Sequence, residues 1–143
     1  MISQTLQFKQ AWHLDPALLD SAAKNIDPAG LAGRWVNTNH ETRGVSELTL
    51  EHDGKNFRVS LVGVGAAGPI DWPRTEVETF ANLEEEGGQR AAALVAHFNF
   101  GFMATEMQIR VNKGVLVIVL FNTFRDGSGR SNYVTREFFY RPG

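Results

Sequence analysis

Residues 103–124 read MATEMQIRVNKGVLVIVLFNTF, and the fold class is decided there. Met103, Thr105, Met107 and Ile109 alternate with Glu106, Gln108 and Arg110. A period of two sends successive side chains to opposite faces of a strand, one apolar and one wet. Asn112-Lys113-Gly114 then supplies a tight turn, and a second apolar run starts at once, so the two strands are antiparallel neighbours. Val115 to Phe121 is apolar on both faces. Such a strand needs a cover outside as well as a core inside.

The same pattern extends outward in both directions. Leu48 and Leu50 oppose Glu47, Thr49 and Glu51, and Phe57, Val59 and Leu61 oppose Arg58 and Ser60. Turn residues punctuate these runs at Glu41 to Gly44, Asp53-Gly54-Lys55, Gly65 to Asp71, Asn82 to Gln89, Gly101 and Asp126 to Gly129. Eight strands are expected, near 34–39, 45–52, 56–64, 72–80, 90–100, 103–111, 115–124 and 131–141. The links are too short for crossover helices, so consecutive strands pair. Eight such strands stack as a sandwich or close as an up-and-down barrel. Closure removes exposed edges, and the barrel is the expected form.

One helix is expected before the first strand. Asp15 suits the N-cap and Pro16 the first helical position; Leu18, Leu19, Ala22 and Ala23 recur at helical spacing, and Asp27-Pro28 ends the run. The expected organisation is therefore one all-β domain over 1–143, a helical extension over 1–30 followed by a barrel over 31–141. The helix near 16–24 could cover the two-sided strand, and so could a second copy of the chain in a homodimer.

Composition narrows the function. A chain of 143 residues, 43% apolar, can build one unaided core. Its net charge of −2 gives no field to recruit nucleic acid or an anionic membrane. The absence of cysteine excludes disulfides and thiolate chemistry. Met1 to Lys9 has no apolar secretory core, and no apolar run approaches the ~20 residues of a membrane helix, so a cytoplasmic location is expected.

Gly33-Arg34-Trp35, after a short helix and opening the first strand, resembles the Gly-x-Trp signature of the calycins: the lipocalins, fatty-acid-binding proteins and avidin-like barrels. The resemblance implies a barrel with Trp35 plugging one end and a basic residue of the last strand, Arg136 or Arg141, packed across it. Guanidinium on indole is a sound pairing in any fold. Arg130 to Arg141 is similar to the closing strand of small uncharacterised bacterial barrels of this type. Gly33-Arg34-Trp35-Val36-Asn37 resembles the avidin opening, yet no later strand supplies the tryptophan walls of a biotin site. A late histidine of the kind that holds haem in related barrels is also missing, since His97 is the last.

Candidate site residues follow from strand parity. Asn37, Phe57, His97, Asn99, Thr105, Asn122, Tyr133 and Glu137 are polar or aromatic members of strands that can point inward, and Trp72 follows the glycine-rich stretch 63–68 at a barrel mouth. Inward polar groups are what orient an enclosed ligand. His97 and Glu137 are the candidate acid and base. No metal is expected, because His13, His40, His52 and His97 lack ligand spacing. No nucleophile motif is present, and 63–68 is no dinucleotide fingerprint because Pro69 follows it.

These features favour a barrel that binds a small, largely apolar or aromatic molecule. A cofactor-independent cyclase or isomerase on the same scaffold is the alternative, since preorganising a flexible substrate needs little beyond one acid or base. A structural protein with a filled interior is a third class.

Overall fold

The computed structural model describes residues 28–81 and 90–143. Among them there are ten strands and no helix. They are β1 (Gly33–Asn37), β2 (Val45–His52), β3 (Phe57–Gly65), β4 (Gly68–Asp71), β5 (Thr75–Glu76), β6 (Glu78–Ala81), β7 (Ala91–Asn99), β8 (Met103–Asn112), β9 (Val115–Phe124) and β10 (Tyr133–Tyr140). The helix expected at 16–24 lies outside the described residues. All pairings are antiparallel, in the order β4-β3-β2-β1-β10-β9-β8-β7-β6, with β5 also on β3. The first strand thus pairs with the last, Val36 opposite Tyr140 and Asn37 opposite Phe139.

The count is ten rather than eight for two local reasons. The stretch 65–71, expected as a loop, folds back as β4, with Gly65 opposite Gly68. The strand expected at 72–80 is divided. Trp72 N still donates to Leu61 O at 3.0 Å, but Pro73 has no N–H to give the ladder. β5 resumes on β3, Val77 N donates to Phe57 O at 3.2 Å, and β6 then pairs with β7. None of β4, β5 and β6 pairs with both β3 and β7, so the sheet is not closed.

Alternation holds along the curved sheet. Leu48, Leu50, Phe57, Val59, Met107, Ile109, Leu116, Ile118 and Phe139 are buried in one core. That core fills the interior from the Trp35 end. Trp35 is 1% exposed, and its Nε1–H donates to Leu31 O at 2.9 Å. The Arg141 guanidinium lies 4.3 Å from the Trp35 ring centre and donates to Ala32 O at 2.6 Å and Gly30 O at 3.2 Å. Gly33 has φ of 120°, and a Cβ there would sit 2.7 Å from Arg141 Nη1, so the glycine of the Gly-x-Trp element is sterically required. Arg136 takes no part in the plug; it is exposed, 5.5 Å from the Phe138 ring on the outer face.

On that outer face, β9 and β10 expose Val115, Phe121, Val134, Phe138 and Tyr140.

The link from β9 to β10 is tied by Asp126. Its carboxylate accepts from Ser128 N at 3.0 Å and from Arg130 Nη2 at 2.6 Å, and Arg130 stacks 4.1 Å from the Phe124 ring. Hydrogen bonds from Ser128, then from Arg130, hold the Asp126 carboxyl down at about 2, below its ordinary 3.8.

Two outcomes follow. Trp35→Ala should cost about 3–5 kcal/mol, the range for large aromatic truncations in cores, measured by urea unfolding; an unchanged midpoint contradicts the plug. Because the folded carboxyl is depressed, the stability it lends is present above pH 3.8 and fades as pH falls through about 2. The amide resonances of Ser128 and Arg130 should therefore titrate near pH 2; a midpoint near 3.8 contradicts the tie.

Candidate functional site

The end opposite Trp35 is open. A cavity of about 500 Å³ is lined there by Arg43, Gly44, Val64, Ile70, Trp72, Met103, Leu120, Asn122, Tyr133, Thr135 and Glu137, among others. Its floor is the top of the core. Its polar side is built where β1, β2 and β10 meet.

Glu137 organises that side. Its Oε1 accepts from Thr42 Oγ1 at 2.5 Å and from Asn37 Nδ2 at 3.1 Å, and its Oε2 accepts from Val45 N at 3.1 Å. Val45 turns its N–H toward β10, while the strand keeps its register on β3 at Gly63 and carries a bulge just beyond, between Val45 and Glu47. Asn37 Nδ2 also donates to Val45 O at 2.8 Å, so one buried amide joins both strands to the carboxylate. The β1–β2 loop winds round the acid through short side-chain turns. Asn37 Oδ1 accepts from Asn39 N, Asn39 Oδ1 from Glu41 N, and Thr42 Oγ1 from Gly44 N. A Cβ on Gly44 would meet Glu137 Oε2 at 2.7 Å, so only glycine leaves the carboxylate its place.

A carboxylate has about four acceptor positions. Three are filled by neutral donors of the protein. The fourth belongs to Oε2 of a side chain that lines the cavity.

Across the cavity, Thr105 Oγ1 donates to Asn122 Oδ1 at 2.7 Å. Asn122 is 6% exposed and lines the cavity. Trp72 closes one wall. Its ring meets Phe98 and Phe100 edge-on, with centroids 5.1 and 5.2 Å apart. Tyr133, 47% exposed, stands at the rim beside Phe124.

Of the expected residues, Trp72, Asn122, Tyr133 and Glu137 line one cavity. Asn37 and Thr105 stand behind them as hydrogen-bond partners. Phe57 is wholly buried in the core, edge-on to His52, away from the cavity. His97 and Asn99 are exposed on the outer face. The larger apolar rings on the other parity of β7 claim the interior: Phe98 is buried, and Phe98 and Phe100 stack with centroids 6.0 Å apart. His97 instead stands opposite Glu106 in an outer groove with Phe121, Thr123 and Arg125. Asn99 accepts from Gly101 N at 2.9 Å and so shapes the β7–β8 turn. Neither can act with Glu137 in one interior site.

Thr42, Arg43 and Gly44 belong to the site although the segment 41–44 reads as a bare strand separator. The available signal is Asn37-Thr38-Asn39 followed by Thr42-Arg43-Gly44, a run of side chains that hydrogen-bond their own backbone. Among the described residues no group of three His, Asp or Glu could hold a metal ion, and no helix is long and apolar enough to cross a membrane. Comparison with protein-family models, with curated proteins and with solved structures gives no match to this chain.

Glu137→Ala should therefore leave the Asn37, Thr42 and Val45 donors to rebuild or lose their bonds, at about 1–3 kcal/mol. His97→Ala, on the outer face, should stay within about 0.5 kcal/mol of the parent. Urea midpoints check both; equal effects contradict the cradle.

Proposed function

We propose that the protein is a binding protein on a calycin-like scaffold, which takes a small, largely apolar or aromatic molecule into the open end. The observation that carries this reading is the convergence of Trp72, Leu120, Asn122, Tyr133 and Glu137 on one cavity above a filled core. Its volume falls within the ~300–1,000 Å³ of small-molecule sites, and apolar walls with a few placed polar groups are the usual make-up of such sites. Trp35 and Arg141 fill the end away from this cavity. Calycin-like here means the Gly-x-Trp plug with Arg141 across it and the pairing of the first strand with the last.

The remaining acceptor position on Glu137 Oε2 also suits a cofactor-independent isomerase or cyclase, in which that oxygen would take a substrate proton. The two readings separate on Glu137→Gln, which removes turnover in an enzyme and only adjusts affinity in a binder.

The neutral fluorophore N-phenyl-1-naphthylamine tests the pocket. It should bind saturably at one site, and Trp72→Ala should weaken it about ten-fold, the equivalent of ~1.4 kcal/mol. Absence of saturable binding, or binding indifferent to Trp72→Ala, overturns the proposal.

A further inference from the structure

We infer that the ligand of the open-end cavity is amphoteric, presenting an ammonium or comparable N–H donor to Glu137 and an anionic acceptor to Arg43, with a planar apolar body between them. This rests on the binding reading above and adds the chemistry of the ligand's two ends.

The first end is fixed by what surrounds the acid. The three donors on Glu137 are an amide, a hydroxyl and a backbone N–H, all neutral. Among the described residues no Lys, Arg or His nitrogen lies within 4.0 Å of its oxygens. The carboxylate is therefore held in place without a cationic partner, and the side chain that carries its one remaining acceptor position lines the cavity. A donor that also carries positive charge satisfies both, and hydrogen bonds to charged groups are the stronger ones. Gly44 keeps this geometry, since any Cβ there would push on Oε2.

The second end is the guanidinium next door. Arg43 lines the same cavity, one residue from Thr42 and Gly44, and makes no hydrogen bond or ion pair among the described residues. Its five N–H donors match a carboxylate or phosphate. Asn122 lines the same cavity, its Oδ1 taken by Thr105, and its side-chain amide is a further donor group there.

Glu137 and Arg43 carry opposite charges at one mouth, yet they do not pair with each other. A ligand with one charge satisfies one of them and repels or ignores the other. A ligand with both completes both. The neutral body rests between Trp72, Leu120 and Met103.

Four compounds sharing an indole body test this by isothermal titration calorimetry: 3-methylindole, tryptamine, indole-3-propionate and tryptophan. Tryptophan should bind at least about ten-fold tighter than 3-methylindole, with the singly charged compounds weaker than tryptophan. Arg43→Ala should reduce tryptophan to the level of tryptamine. Glu137→Gln should reduce it to the level of indole-3-propionate, with thermal melting as the check that this variant folds. Arg43 has no bond to lose in the fold, so its variant stays informative even where Glu137→Gln does not fold. If 3-methylindole binds as tightly as tryptophan, the amphoteric assignment is overturned while the apolar pocket stands. If tryptophan is favoured but indifferent to Arg43→Ala, the assignment is also overturned. Binding by none of the four overturns the pocket reading with it.

Discussion

Glu137 on the last strand and Arg141 just beyond its end stand four residues apart, about 13 Å at ~3.3 Å per residue. Each reaches across the joint between β10 and β1, in opposite directions along the strands. Arg141 stacks on Trp35 and ties Gly30 and Ala32 to the end of the chain. Glu137 ties Asn37, Thr42 and Val45. The pairing of Asn37 with Phe139 sets the register that lets both side chains arrive. A slip of one residue would turn both to the outer face. One short ladder therefore makes the plugged end and the polar end together.

The rest of the interior follows from where that joint leaves space. Large apolar side chains fill the volume above Trp35, including Phe57, Met107, Ile118 and Phe139. The open volume is thus left beside Glu137. The glycine at 44 makes room for the acid, and β2 carries a bulge just beyond Val45, whose N–H the acid accepts. Departures of this kind gather at sites, where regular pairing is given up for placement.

Much of this was legible in the sequence, and the failures have physical causes. Alternation in 45–52, 57–61 and 103–112 reads through to burial because those stretches have one polar and one packed face. Asn37, Thr105 and Asn122 were legible as inward polar residues because they share parity with Trp35, Met107 and Leu120. The outward place of His97 was not legible because β7 is apolar on both parities, and the larger rings of Phe98 and Phe100 decide between them. The division at Pro73 was readable in principle, since a proline interrupts a ladder wherever it stands. The cradle of Glu137 was not readable. Its donors are 92 to 100 residues away in the chain, and only the β1–β10 pairing brings them together.

The two described tryptophans mark the two ends of the molecule, and their indole N–H resonances report on each separately. Trp35 Nε1–H is buried on Leu31 O, and Trp72 lines the cavity. A ¹H–¹⁵N NMR titration with 3-methylindole reads both at once. The account predicts that Trp72 and the backbone amides of Gly44, Val45 and Glu137 shift, while Trp35 and the outer-face amides of His97 and Phe121 stay in place. Shifts centred on His97 and Phe121, with Trp72 unmoved, would contradict it and place the site in the outer groove.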